Sequence, residues 1–546
     1  MVRLLSAPPK TTNVKSGKPP KGFFFFAGRQ WPNVTWWQRP NMRKLYFFTT
    51  ILVMNNIAHG FDSSMMNGLQ SLSYWREYFD EPSGPTLSLF TSVMTLGSIG
   101  ALAFIPPIID RWGRKSGIYI GSLIVFLGVG LQAGASNFDM FIAGRFLLGF
   151  GMTLTLGPAP ILVSEIAHPQ HRAICTTLFG VSWFVGSFVA SWVTYGTLQI
   201  DSDWAWRLPS LLQCCCTLII VPCMYWVPES PRFYIAQDQN DKAKKIIAYY
   251  HAEGDEDDEL VNMEYNEIYT IISLDKQMGQ STGYRDFLRT PGNRKRIMLV
   301  IAMCLFQQWS GGGLIGYYMR LILEDVGIKD AQAQLGINGG LRAWALVVNA
   351  VFAFFVDFLG RRQIMLISTV GMTGAFIVWT ILAARHEIGG GTDDTLGRAV
   401  VAMIFVYDSF NNFQTGVQTT YNLEILPYGL RAKGGVIGSF TILAALFFNQ
   451  FVNPIALENI AWRYYIVYSC FLLFQCWFIY TQLIETRYTP LEEIAKYFDG
   501  DEKDVVELTN AQVKQAAAEG GDVERSEQYD ASGKVMAATT GRDNNP

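Results

Sequence analysis

Charge is scarce in this sequence. Asp, Glu, Lys and Arg make up 16% of 546 residues, where a soluble domain carries about 25%. That is too little to cover a water-facing surface. The formal net charge of −3 points to no partner, because the charge is unevenly placed, and no nucleic-acid partner is expected. Reactive constellations are missing as well. There is no nucleophile–base pair, phosphate loop or metal cluster, so an enzyme is not expected and no cofactor or metal is implied. The cysteines Cys175, Cys214, Cys215, Cys216, Cys223, Cys304, Cys470 and Cys476 all fall inside apolar runs. They have no paired loop spacing and no His beside them, which argues against disulfide or zinc frameworks and for small packing residues. No cleavable leader is expected either: the first apolar run begins near Leu45, after a long basic stretch.

Apolar and aromatic residues are abundant. Half of the chain is hydrophobic, with 37 Phe, 24 Tyr and 15 Trp. A bilayer core of about 30 Å needs about 20 apolar residues per helix, and runs of that length come as six, a break, then six. The domains expected are a basic tail over 1–44, a six-helix bundle over 45–227, a loop with short amphipathic helices over 228–296, a second bundle over 297–484, and a tail over 485–546 that is disordered after about 499. Lys and Arg cluster in the tail and in alternate short loops (Arg111, Arg114, Lys115; Arg172; Arg361, Arg362; Arg431, Lys433). This bias predicts that both termini and the central loop face the cytoplasm. A multi-pass protein of the plasma membrane, monomeric in the lipid bilayer, is the expectation.

The two halves echo each other. Asp110-Arg111-Trp112-Gly113-Arg114-Lys115 is answered by Asp357-Phe358-Leu359-Gly360-Arg361-Arg362. Glu165 precedes Arg172 as Glu424 precedes Arg431, and Pro228-Glu229-Ser230-Pro231-Arg232 is matched by Glu485-Thr486-Arg487. A duplicated six-helix unit places a substrate cavity between the halves, near the midplane. To these motifs the chain adds Gly60-Phe61-Asp62, Gly144-Arg145, Gln307-Gln308-Trp309-Ser310-Gly311 and Tyr317-Tyr318. In this order the set resembles the sugar porter family of the major facilitator superfamily, from about Gly60 to Gly500. Ser64-Met65-Met66-Asn67-Gly68-Leu69-Gln70 and Asn453-Pro454-Ile455-Ala456-Leu457 look most like fungal permeases of the lactose and cellobiose type.

The resemblance implies an all-α major facilitator fold with twelve transmembrane helices in two pseudo-symmetric bundles. It also implies secondary active, proton-coupled uptake of a sugar, with a di- or oligosaccharide as the substrate expected. An ionised residue at the centre of a membrane helix costs about 2.5–3.5 kcal/mol on insertion scales, so it is usually paired or functional. The resemblance makes Asp62 and Arg145 neighbours and gives the acid the transported proton; a permanent ion pair locking two helices is the structural alternative. It assigns sugar contacts to Gln307 and Gln308, and a gate to Tyr317 and Tyr318. Asp110, Arg111, Arg114, Glu165 and Arg172 in one half, and Asp357, Arg361, Arg362, Glu424 and Arg431 in the other, resemble a conformational latch. Glu229 and Glu485 would receive arginines from these loops.

The pocket departs from the family pattern. Gly313 stands where the family has Asn, Gly180 where it has Gln or Asn, and Thr419 where it has Trp. The cavity is then enlarged for a bulkier or less polar substrate, or the protein senses rather than carries; a non-sugar metabolite on the same fold is a further alternative. Asn449 and Asn453 are candidate substrate contacts, with Asn67, Gln70, Gln414 and Gln418 as further polar replacements. Gly311 to Gly313 predict a break in the seventh helix.

Overall fold

In a computed structural model, residues 22–26, 29–279, 283–355, 359–389, 393–486 and 497–498 are described. Twelve long helical segments dominate, labelled here α1 to α12. The first half holds α1 (Pro40–Leu69), α2 (Gly84–Leu102), α3 (Arg114–Ala133), α4 (Phe138–Ile166), α5 (Arg172–Thr197) and α6 (Trp204–Cys223). The second holds α7 (Pro291–Asp325), α8 (Ala331–Phe355), α9 (Arg361–Ile388), α10 (Asp394–Glu424), α11 (Tyr428–Ile460) and α12 (Arg463–Gln482). Helix α1 starts at Pro40 rather than near 45, because proline at the first helical position is preorganised and loses no hydrogen bond there.

Ten of the twelve are long and apolar enough to cross a bilayer. The other two, α1 and α10, are 30 and 31 residues long and are diluted by polar side chains. Asn55, Asn56, Asp62, Ser64 and Asn67 in α1, and Asp408, Asn412, Gln414 and Gln418 in α10, are buried among neighbouring helices. Outward faces are apolar: Leu123, Leu127, Leu178, Val370 and Leu473 are all exposed, the opposite of a water-soluble pattern and suited to lipid.

Small residues let helices approach closely. A Cβ on Gly60 of α1 would stand 2.0 Å from the Trp183 carbonyl oxygen of α5, and one on Gly186 of α5 would stand 1.9 Å from that of Ile57 in α1. Any larger residue at either position would push the two helices apart.

Short helices Pro231–Ala236, Asn240–His251, Glu259–Gly279 and Asp286–Arg289 fill the break between the halves and mark one end of the molecule, the loop end. A two-stranded antiparallel hairpin, Phe23–Phe26 with Arg29–Pro32, lies in the basic tail, where the sequence suggests no structure. The expected disorder after about 499 falls outside the described residues.

The halves meet at the end remote from the short helices. There the Ser88 hydroxyl donates to the Phe451 carbonyl at 2.7 Å and Thr95 to Gln450 Oε1 at 2.5 Å, joining α2 to α11. Asn338 of α8 lies 3.4 Å from Ser191 of α5, and Gln332 donates to the Tyr195 hydroxyl at 3.2 Å. These bonds, with those of Asn67, Gln70 and Tyr318 described below, tie α1–α6 to α7–α12 toward this far end. The seam is shut there.

Candidate functional site

Asp62 and Arg145 face each other inside the first half. Arg145 Nη1 donates to Asp62 Oδ1 at 2.9 Å, with the two side chains 3% and 0% exposed. Their remaining capacity is unused: Asp62 Oδ2 and Arg145 Nε are buried without a partner. A single hydrogen bond therefore holds a charge pair that has room for a bidentate one. The seventh-helix tyrosine Tyr317 lies within electrostatic reach of both members.

Helix α7 breaks where the glycines predict. The helix Pro291–Trp309 ends, Gly311 takes φ +105°, a left-handed conformation that suits glycine, and a second helix runs Gly312–Asp325. Gln307 and Gln308 lie just before the break, half-buried. Asn449 of α11 closes the gap: its Nδ2 donates to the Gln308 carbonyl at 2.8 Å, and its Oδ1 lies 2.8 Å from the Tyr468 hydroxyl. Asn453, one turn on, accepts from Tyr464 at 2.9 Å and lies 2.8 Å from the same Tyr468 hydroxyl, while its Nδ2 has no partner.

This corrects the expectation of a pocket emptied at three positions. A Cβ on Gly313 would stand 2.3 Å from Asn449 Nδ2, so the volume of the missing family Asn is filled from α11. At Gly180 nothing lies within 4 Å of the absent Cβ, so no neighbour fills that space. The side chain of Thr419 is outside what the structure describes.

Tyr317 and Tyr318 sit at the shut end of the seam. Tyr318 is fully buried, and its hydroxyl lies 2.5 Å from the Gln450 carbonyl and 2.5 Å from Thr91 Oγ1 of α2. Its backbone leaves the helical region (φ −134°, ψ 31°), which turns the ring across the seam. Asn67 of α1 clamps the same segment, donating to the Ile315 carbonyl and Asn338 Oδ1 and accepting from the Met319 amide. Gln70 donates to the Tyr317 carbonyl at 2.9 Å. Asn67 and Gln70 are thus bound to the opposite half rather than turned toward a pocket. Gln414 and Gln418 are buried in α10 with their amide nitrogens unpartnered.

Residues 48–498 match the family model described as sugar (and other) transporter. The chain belongs to that family. The MFS-type transporter oryC of Aspergillus oryzae is 26% identical over 464 residues, covering 83% of this chain and 85% of that protein. The high-affinity glucose transporter of Kluyveromyces lactis is 29% identical over 480 residues, with the same coverages. The fold matches the xylose transporter XylE from E. coli in its inward open conformation, with a TM-score of 0.68 at 19% identity over 83% of this chain and 99% of that one. It matches the proton:xylose symporter XylE bound to 6-bromo-6-deoxy-D-glucose with a TM-score of 0.67 at 18% identity. The protein is an all-α, multi-pass integral membrane protein of the major facilitator fold, and these relatives are transporters rather than enzymes.

Within this sugar transporter fold the charged loop residues separate by half. Arg114 forms a two-pronged pair with Glu165 at 3.1 and 3.2 Å, and Arg361 reaches Glu424 at 3.4 Å. Glu229 does not receive a guanidinium; its carboxylate accepts the backbone amides of Arg114 and Lys115, both at 3.1 Å. Glu485 takes the amides of Arg361 and Arg362 at 2.8 and 3.2 Å in the same way. A helix N-terminus offers free N–H groups and a partial positive charge, so α3 and α9 are each capped by a carboxylate from beyond the sixth helix of their own half. Arg172 leaves the first cluster and pairs with Glu264 of the short helix Glu259–Gly279 at 3.1 Å. Asp110 and Arg111 are exposed, and the Asp110 carbonyl accepts from Gln237. Arg431 lies 3.5 Å from the Leu426 carbonyl, not against Glu424. Asp357 lies outside the described residues.

Two groups escaped the sequence reading. Arg342 of α8 and Asp408 of α10 are 7% and 6% exposed, a second set of buried charges. The rule that singled out Asp62 finds both when applied to every apolar run. At the loop end, His168, His171 and His251 converge: ring centroids of His168 lie 5.9 Å from His171 and 5.1 Å from His251. His251 Nδ1 is 2.7 Å from Glu264, and both are buried. No spacing in the sequence announces this cluster, because His168 and His171, from the loop between α4 and α5, meet His251 and Glu264 from two separate short helices.

Proposed function

We propose that the protein is a proton-coupled sugar symporter of the plasma membrane, working by alternating access. Both termini are cytoplasmic in this reading, so the loop end is the inner face and the conformation described is inward-open. The observation that carries the proposal is the Asp62–Arg145 pair, buried and joined by one hydrogen bond although each partner can make more. Burial favours the protonated acid and the guanidinium favours the ionised one. A small shift of α1 against α4 changes which effect wins, so the same carboxylate takes a proton facing outward and releases it facing inward. The names of the relatives support the cargo: one is a glucose transporter, and XylE is a proton:xylose symporter. The open space at Gly180 supports a substrate larger than a monosaccharide.

A proton falling through 100 mV releases about 2.3 kcal/mol, enough for about fiftyfold accumulation. Substrate-evoked alkalinisation of the medium is expected in cells expressing the chain, with Asp62→Asn retaining downhill flux and losing accumulation. Robust uptake without proton movement, together with normal accumulation by Asp62→Asn at equal surface expression, would show the pair to be structural.

A further inference from the structure

The second half holds its own buried charges, and they are incompletely satisfied. Arg342 sits on α8 and Asp408 on α10, both more than nine-tenths buried. Each lies within electrostatic reach of the other, yet they form no direct ion pair. Asp408 Oδ2 accepts from Asn412 Nδ2 at 2.7 Å, which holds the carboxylate in place. Arg342 is held less well: its Nη2 lies 3.5 Å from the Gly316 carbonyl, a marginal distance, and its buried Nε has no partner.

A desolvated guanidinium left with a marginal contact is costly in a bilayer, and such a group is stabilised when a ligand brings an acceptor. Room exists beside it. Gly316 has nothing within 4 Å of its absent Cβ, and it lies in α7 past the Gly311 break, between the Gln307–Gln308 pair and the shut end. Tyr317, the next residue, is in electrostatic reach of Arg342 and also of Asp62 and Arg145.

We propose that Arg342 and Asp408 form a substrate subsite for neighbouring hydroxyls of a neutral sugar, the guanidinium donating to one oxygen and the carboxylate accepting from the other. The pair is neutral overall, so it selects a group that both donates and accepts. A substrate carboxylate would gain Arg342 and be repelled by Asp408. The inference rests on the sugar reading above.

The test is uptake of radiolabelled glucose, cellobiose and lactose by wild type, Arg342→Gln, Asp408→Asn and the double variant, normalised to surface protein. For the sugars that wild type carries, each single variant is expected to raise KM about tenfold while Vmax stays within about threefold. Deoxy analogues of the carried sugar supply the second arm. The one lacking the recognised hydroxyl should bind wild type and variant alike. A purely structural pair predicts otherwise: Vmax and surface yield fall for every sugar together, and the double variant recovers them. Should Arg342→Gln fail to reach the surface, Arg342→Lys, which keeps the charge and lacks the fork, should still weaken sugar-induced thermal stabilisation of the purified protein. Unchanged KM values in a transporting protein overturn the subsite alone. A wild type that neither carries nor is stabilised by any of these sugars overturns the sugar reading and the subsite with it.

Discussion

Position 313 shows how a missing side chain can be replaced from another helix. Asn449 occupies the space that an Asn at 313 would take, and it bonds the Gln308 carbonyl and the Tyr468 hydroxyl while doing so. Gly313→Asn therefore collides with a carboxamide that is held on both sides. Freeing Asn449 breaks two hydrogen bonds at about 1 kcal/mol net each, so the single variant is expected to lose about tenfold or more in sugar affinity rather than gain a contact. Gly313→Asn with Asn449→Ala removes the collision, and its affinity should exceed that of the single variant. Transport KM values for the two variants check this; a single variant with improved affinity would show that Asn449 moves aside freely. At Gly180 the same logic has the opposite sign, because no atom fills the space.

At the scale of elements, the short helices are fastened to the first bundle by protonation-sensitive contacts. His168 is buried and is pushed down to about 2, first by desolvation and then by the charges of His251, His171, Arg39 and Arg172. A histidine held neutral in the fold but free to ionise when released stabilises the fold fully above its ordinary value near 6.5, and less as pH falls below it, by up to about 1.4 kcal/mol per unit. His251 is shifted the other way: burial pushes it down, but the charge and hydrogen bond of Glu264 win and leave it raised. Its contribution is full below 6.5 and disappears as pH rises through the raised value. Burial pushes Glu264 up, and His251, Arg172 and Arg232 outweigh this, leaving it lowered; its contribution is lost only in strong acid. Attachment of Glu259–Gly279 should thus be tightest near pH 6.5 and loosen on both sides. Hydrogen exchange of its amides, corrected for intrinsic rates, is expected to show this maximum. His168→Gln should abolish the acid-side loosening, by up to about tenfold per pH unit, and Glu264→Gln the alkaline side. A flat profile in the native chain would exclude the mechanism. Such contacts mark the limit of what the sequence carries. Twelve helices, the break at Gly311 and the lone ions Asp62 and Arg145 were legible, because span length, glycine runs and ions in apolar segments are local signals; that the two ions meet came only from the family resemblance. The capping of α3 by Glu229, the departure of Arg172 to Glu264, the histidine cluster and the Phe23–Phe26 hairpin were not. Each depends on which distant elements the fold brings together, and Arg342 and Asp408 were passed over because their runs were counted as apolar.

For the whole molecule, the bonds at the far end set what a transport cycle must undo. Thr95–Gln450, Ser88 to the Phe451 carbonyl, Tyr318 to Thr91, and the Asn67 clamp all cross the seam there. At about 1 kcal/mol net each, breaking them costs a few kcal/mol, the scale of the 2.3 kcal/mol that one proton releases through 100 mV. At the loop end the arginine–glutamate pairs stay within their own halves, so nothing among them resists opening. In the alternating access proposed above, the far-end bonds exchange for loop-end contacts, with Arg114–Glu165 and Arg361–Glu424 travelling as rigid parts of each half. Cysteines at Thr95 and Gln450 in a background without native cysteines offer a direct measurement, since the native side chains meet across the seam at their tips and a short cross-linker can span what the shorter cysteines leave. Joining them with a short reducible bis-thiosulfonate cross-linker should hold the far end shut and abolish uptake, and dithiothreitol should restore it. A third cysteine at Gly180, beside open space, should stay reactive in the locked protein to a thiol reagent applied from the loop side. Uptake that persists in fully cross-linked protein would mean that the substrate does not pass between α2 and α11. In that case the seam described here would be a fixed interface, and the moving parts would have to be sought elsewhere in the two bundles.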